Sequence, residues 1–241
     1  MEVVSKEKYT ATSSSSTGKA YVKAKNTAPT VNTSAKTITY PKAVVAGSNM
    51  YDLKITVPWA INSTQSSEYS SQGNVILWLP AKLSSFSSVK LQVLDQSGNA
   101  VNWTGVIAIA DLDNGDTAQK GVVRVPTASI KTQIRVGSEC QANPHTSGDG
   151  AGTTGYNAKA GTTANADSTK WKSHAVYLKA EIPSSGLSIM CKNTGTQRDI
   201  LCLDCQHAID TYDKDYDSSK KIGTYTSSGS FDSSSSGWKA A

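Results

Sequence analysis

The chain has 241 residues, of which 37% are hydrophobic and 18% charged, with a net charge of +5. That length fits one large β-domain or two small ones, and Ser, Thr, Gly and Ala fill much of the remainder. Such a composition suits strands joined by polar loops, argues against helix bundles and coiled coils, and contains no apolar run long enough to span a membrane.

The charge is unevenly placed. Residues 1–42 carry seven lysines against two acids, whereas basic and acidic residues balance over the rest. Residues 1–35 are poor in large apolar side chains and read as an extended basic arm, with one short strand at Lys19 to Lys25. Lys19, Lys23 and Lys25 are its candidate contacts with neighbouring subunits. Residues 1–42 have no arginine, no dense cationic cluster and only Tyr9, Tyr21 and Tyr40 as aromatics, so nucleic acid is a weakly supported partner. The opening Met-Glu-Val-Val-Ser-Lys-Glu-Lys has no apolar leader, which leads to the expectation of a protein made and kept in a cytoplasm.

From Lys36 onward, period-two alternation recurs in short runs bounded by Gly, Pro, Ser and Asn. Leu53, Ile55 and Val57 share a face, and Val75 to Leu79 is apolar on both faces. Val89, Leu91 and Val93 oppose Lys90 and Gln92, and Val106 to Ala110 is again apolar on both faces, as for a strand under a second layer. Thr132, Ile134 and Val136 alternate with Lys131, Gln133 and Arg135. Val176, Leu178, Ala180 and Ile182 alternate with Tyr177, Lys179 and Glu181. Leu187, Ile189 and Cys191 follow on one face. Pro58, Pro80, Pro126 and Pro183 mark strand ends, because proline cannot donate to a ladder. No ten-residue helical pattern with caps is found. Residues 36–210 thus read as one β-domain of about ten short strands, interrupted by a long loop at 137–170. Residues 211–241 form a polar tail rich in Ser and Asp.

Cys202-Leu-Asp-Cys205 raises the question of metal or redox chemistry. Read as a strand, Asp199 to Cys205 points its two cysteines to opposite faces, which does not make a zinc knuckle. Cys191 and Cys202 are instead a candidate disulfide across two paired strands, and the leading reading of all four cysteines is core packing. Gly150-Ala-Gly-Thr-Thr-Gly155 matches a phosphate-loop spacing but lacks the preceding strand and following helix. Asp111 to Asp116 and Asp213 to Asp217 resemble the start of calcium loops, yet neither has a Glu at the twelfth position. His145, His174 and His207 are far apart, and no nucleophile motif accompanies them. Trp59 and Trp171 are candidates for stacking on sugar rings. The sequons at Asn32, Asn62 and Asn102 are read as chance.

The expected fold is all-β: an antiparallel β-sandwich or jelly roll with an extended N-terminal arm and a polar C-terminal tail. No catalytic residue, metal or cofactor is expected. The profile points to a structural component of a large assembly, a virion protein of the capsid, decoration, tail or fibre type. It would be assembled in the host cytoplasm, with copies of itself and other structural proteins as partners and no membrane. A surface adhesin or carbohydrate-binding β-sandwich module is the alternative.

Overall fold

The computed structural model describes residues 20–71, 73–114, 120–162 and 173–205. Among these, the chain runs through β1 (Ala20–Val22), β2 (Thr30–Asn32), β3 (Thr37–Ala46) and β4 (Asn49–Thr56) to helix α1 (Ser63–Ser71). It continues through β5 (Ile76–Leu79), β6 (Leu83–Leu94), β7 (Ala100–Val101), β8 (Trp103–Ile109), β9 (Gly121–Pro126) and β10 (Ile130–Val136). The last strands are β11 (Cys140–His145), β12 (Thr153–Ala158), β13 (Val176–Ile182), β14 (Leu187–Asn193) and β15 (Asp199–Cys202).

The fold is all-β. One sheet has the order β10-β13-β8-β1-β3-β4-β6-β14-β9-β12-β11, with β2 added to β3 and β7 to β6. Its pairings are antiparallel except that β1 runs parallel to β8. The two edge strands are consecutive: a turn closed by the Cys140 N–H on the Gly137 carbonyl (2.9 Å) joins β10 to β11. The sheet therefore curls until its edges meet, giving a nearly closed barrel.

Alternation explains which side chains fill it. Ile38, Ile55, Leu91 and Leu187 are register partners in a row across four strands, and all four are buried. Their sequence neighbours Thr39, Lys54, Lys90 and Ser188 stand on the wetter side. β8 is buried on both faces, as its sequence implied. Ile107 and Ile109 join the main core, while Val106, Ala108 and Ala110 form a second cluster with Ile134, Ala175, Tyr177, Cys202 and Cys205.

Where β1 ends, the other end of the chain takes over its place beside β8. β1 meets β8 only at Tyr21, opposite Val106. Beyond it the Ala108 N–H donates to Leu203 (3.2 Å), and Ala110 and Cys202 exchange backbone bonds at 2.9 and 3.0 Å. β15 also pairs with β5, so residues 199–205 form a strap that joins β5 to the barrel wall. The Cys205 N–H donates to the Val22 carbonyl (2.7 Å), so the strap ends beside the strand that begins the barrel.

Several expectations change. Residues 20–35 are not an arm on the outside. β1 is an interior strand of the sheet with Val22 fully buried, and β2 is laid on β3. The short strand was expected at Lys19 to Lys25, but three residues with one buried side chain gave no sign of its interior place. Residues 140–158 of the expected loop are the β11–β12 hairpin, whose strands carry Asn, Thr, Gly and a proline in place of alternating aliphatics. Pro144 is tolerated because β11 lies at the sheet edge. A helix is present, and it has no apolar stripe: Tyr69 is its one buried residue. Its start is a reciprocal cap, in which the Gln65 N–H donates to Asn62 Oδ1 (2.8 Å) and the Asn62 N–H to Gln65 Oε1 (2.9 Å).

Candidate functional site

The strap gathers the chemistry that the described residues offer. It carries two acids, Asp199 and Asp204, with Ile200 to Leu203 between them. Leu201 and Leu203 fill the main core, which draws both acids below the surface. Asp204 Oδ2 accepts the Val75 N–H (3.0 Å) and the Cys202 thiol (2.9 Å), so it ties the strap to the residue leading into β5. Asp199 lies opposite Leu79 on β5 and has no exposed surface. Its Oδ1 accepts the Ile200 N–H (3.0 Å), and its Oδ2 lies against the Gly121 backbone, whose N–H partly offsets the effect of burial.

Two more carboxyls act on Asp199, those of Asp113 and Asp111 in the stretch after β8. Asp113 is buried, and Asp111 sits in the left-handed region at φ 65°. Burial first, then the Asp113 charge, pushes the Asp111 carboxyl up to about 7. Burial first, then Asp113 and Asp111, pushes Asp199 up to about 8. Asp111 and Asp199 thus hold their protons to higher pH than ordinary carboxyls do. Among the described residues no group of three His, Cys, Asp or Glu side chains is placed to hold a metal ion.

The cysteines resolve differently from the strand reading. The strand stops at Cys202, so the alternation does not extend to Cys205, and both thiols enter the same small cluster beside β8. Cys205 donates to the Val106 carbonyl (3.1 Å) and Cys202 to Asp204. Burial holds both thiols well above their usual range, as unreactive S–H groups. The Cys191–Cys202 disulfide is not formed: β14 lies between β6 and β9, β15 lies on β5, and all four cysteines are free. Burial also pushes the Cys191 thiol, like that of Cys140, up to about 12.

The remaining candidates are dispersed. Gly150 and Gly152 shape the β11–β12 turn, with φ of 90° and 79°, and Gly155 lies inside β12. Gly150 packs against the Arg124 guanidinium, which reaches Asp149 (3.1 Å) and stacks on Phe86 (3.8 Å to the ring centroid). A side chain of this protein therefore fills the space beside the loop. Trp59 is half-buried against the core, and Trp171 lies outside the described residues. His174 is buried with Nδ1 3.0 Å from Ser173 Oγ, and His145 stands against Gly155 on the hairpin; His207 lies outside the described residues, as does the 213–217 motif. The sequon asparagines have structural uses: Asn32 closes a turn, Asn62 caps α1, and Asn102 Oδ1 accepts the Ser184 N–H (2.7 Å).

Of the three arm lysines, Lys19 lies outside the described residues. Lys23 Nζ rests 3.9 Å from the Met50 sulfur. Lys25 is committed within the chain: its ammonium donates to the Tyr69 and Ser70 carbonyls, both at 2.7 Å, at the C-terminal end of α1. Sequence reasoning passed over Asp199 and Asp204, although acids bracketing an apolar run were the visible signal. The chain matches no known family model and no curated protein.

Proposed function

We propose that this protein is a structural component of a large assembly, of the virion type, and acts through subunit contacts made by chain on either side of the barrel. One observation carries the reading. The chain enters the barrel at β1 and reaches Cys205 at the same seam, where the Cys205 N–H is bonded to Val22. Residues 1–19 and 206–241, rich in Ser, Lys and Asp and short of large apolar side chains, are thus attached side by side. Polar chain of this kind gains little by folding on itself, and paired contacts repeated around a symmetric particle add up. The sandwich or jelly-roll kinship of the fold belongs to the same proposal: a sheet curled until β10 meets β11 sets strands face to face across one core. The carbohydrate-binding alternative gains no support from Trp59, whose ring packs against the core.

The test is the assembly state of the full chain against a variant lacking residues 1–19, which keeps β1 and the Lys25 contact. Native mass spectrometry should find a large homo-oligomer for the full chain and smaller species for the variant, with equal melting temperatures. Identical particles from both, or monomers from both at every concentration, would overturn the proposal.

A further inference from the structure

Five neighbouring strands of the sheet, β6, β14, β9, β12 and β11, contain no acidic residue. Their inward side chains, among them Val89, Cys191, Val123 and Tyr156, fill the core, so the alternate positions face outward. Ser88, Met190, Arg124 and Gly155 are register partners in one row on that outer side. Phe86 stands beside the row, and two cations gather at its ring. The Arg124 guanidinium lies 3.8 Å from the ring centroid and the Lys192 ammonium 5.6 Å from it. Lys90 follows on β6, its stem lying over Gly186.

One acid reaches this group from outside the five strands. Asp149, in the β11–β12 turn, meets Arg124 Nη1 (3.1 Å), but its side chain is 82% exposed and water screens the pair. Arg124 Nε is buried without a hydrogen-bond partner. Lys90 and Lys192 enter no ion pair among the described residues. Phe86 and Met190 stay partly exposed between these charges. The outer side of β6, β14 and β9 is thus a cationic face with an apolar middle, and the partner that fits it carries carboxylates together with aromatic rings.

We propose that this face receives residues 210–217 of a neighbouring copy of the chain. That stretch, Asp-Thr-Tyr-Asp-Lys-Asp-Tyr-Asp, holds four acids, one lysine and two tyrosines, and is the densest acidic run of the sequence. Its carboxylates complement Lys90, Arg124 and Lys192, and its rings match Phe86 and Met190. Reach makes the contact one between copies. The tail follows Cys205, which is bonded to Val22 of β1. β14 lies four strands away along the wall, in the order β1-β3-β4-β6-β14, or about 19 Å at the usual strand spacing. Asp210 is five residues beyond Cys205, at most about 18 Å along a fully extended chain. On its own barrel the acidic run would begin short of β14 and β9, whereas all eight residues of a second copy's run can lie on the face. This inference rests on the assembly reading and names one of its contacts.

The test uses the full chain. Unlabelled and heavy-isotope-labelled chains are refolded together and treated with a carbodiimide, which joins carboxylates to lysine amines in contact. Mass analysis should find peptides linking 210–217 to Lys90 or Lys192 with one labelled and one unlabelled member. Lys90→Glu combined with Lys192→Glu should raise the concentration needed for half-assembly by about tenfold or more in native mass spectrometry. Adding Asp213→Lys and Asp215→Lys to that chain should restore assembly, which a merely structural role of the lysines would not allow. Links confined to peptides of one isotope, or a tail reversal that restores nothing, would overturn the proposal. Charge-reversed chains that assemble like the wild type would strike this face alone and leave the assembly reading standing; a monomeric wild type would strike both. The cross-linking arm needs no variant, so it decides even where charge reversal impairs folding.

Discussion

Asp204 is the side chain on which the strap's far end depends. It is 3% exposed, yet its Oδ2 gathers a backbone N–H from Val75 and the thiol of Cys202. Removing such an acceptor leaves a buried N–H without its partner, which costs more than the net value of the bond itself. Asp204→Ala is therefore expected to destabilise the chain by about 1–3 kcal/mol. Asp204→Asn keeps an acceptor oxygen and should cost less. Denaturant unfolding of the two variants checks this ordering. Equal losses would show that the carboxylate itself, and not the acceptor oxygen that Asn retains, sets the cost. The two cysteines on the strap serve the same local satisfaction: each donates to an oxygen, and neither is placed as a nucleophile.

Helix α1 shows how an element with almost no apolar content is kept in place. Its cap is Asn62 with Gln65, its C-terminal carbonyls are met by Lys25, and Glu68 is bound by Arg198. Tyr69 anchors it, its hydroxyl accepting the backbone N–H of Trp78 (3.2 Å). A cation at a helix C-terminus contributes about 0.3–1 kcal/mol, so Lys25→Gln should lower the stability of the isolated subunit by that amount. Thermal melts at low and high salt measure it, and a loss unaffected by salt would point to packing of the lysine stem instead. The same helix shows where sequence reading stops. β4, β6, β10, β13 and β14 were legible because one face of each is apolar, and β8 because it is apolar on both; those patterns are what the core selects. α1, β11 and β12 were not, because hydrogen bonds and neighbouring strands hold them more than aliphatic stripes do. β1 was glimpsed as a strand, but its interior place depends on Gly105, since a Cβ there would stand 2.6 Å from the Ala20 carbonyl oxygen. The influence of Asp111 and Asp113 on Asp199 was hidden for a different reason: the residues lie far apart along the chain, and only the fold brings them within electrostatic reach.

For the molecule as a whole, these carboxyls pull the pH dependence of stability in two directions. Glu68 is held below its ordinary range, first by the hydrogen bond from Arg198. A group whose pKa is lowered by folding lends stability above its unfolded pKa, and that stability is lost as pH falls through the folded value. Asp111 and Asp199 act in the opposite sense. Their raised pKa values of about 7 and about 8 mean that the folded chain binds protons the unfolded chain has released. Their contribution is fully present below about pH 4 and is lost as pH rises towards about 8. The buried pair should dominate, since Glu68 and Arg198 are partly exposed and water screens their attraction. The melting temperature of the full chain is therefore expected to rise on acidification from pH 8.5 to a maximum near about pH 5, then to fall as ordinary carboxylates are protonated. Asp199→Asn should flatten the limb between about pH 5 and pH 8 while leaving the acid limb in place. A wild-type profile that instead climbs steadily from pH 5 to pH 8 would mean that Asp111, Asp113 and Asp199 are compensated in solution by positive charge.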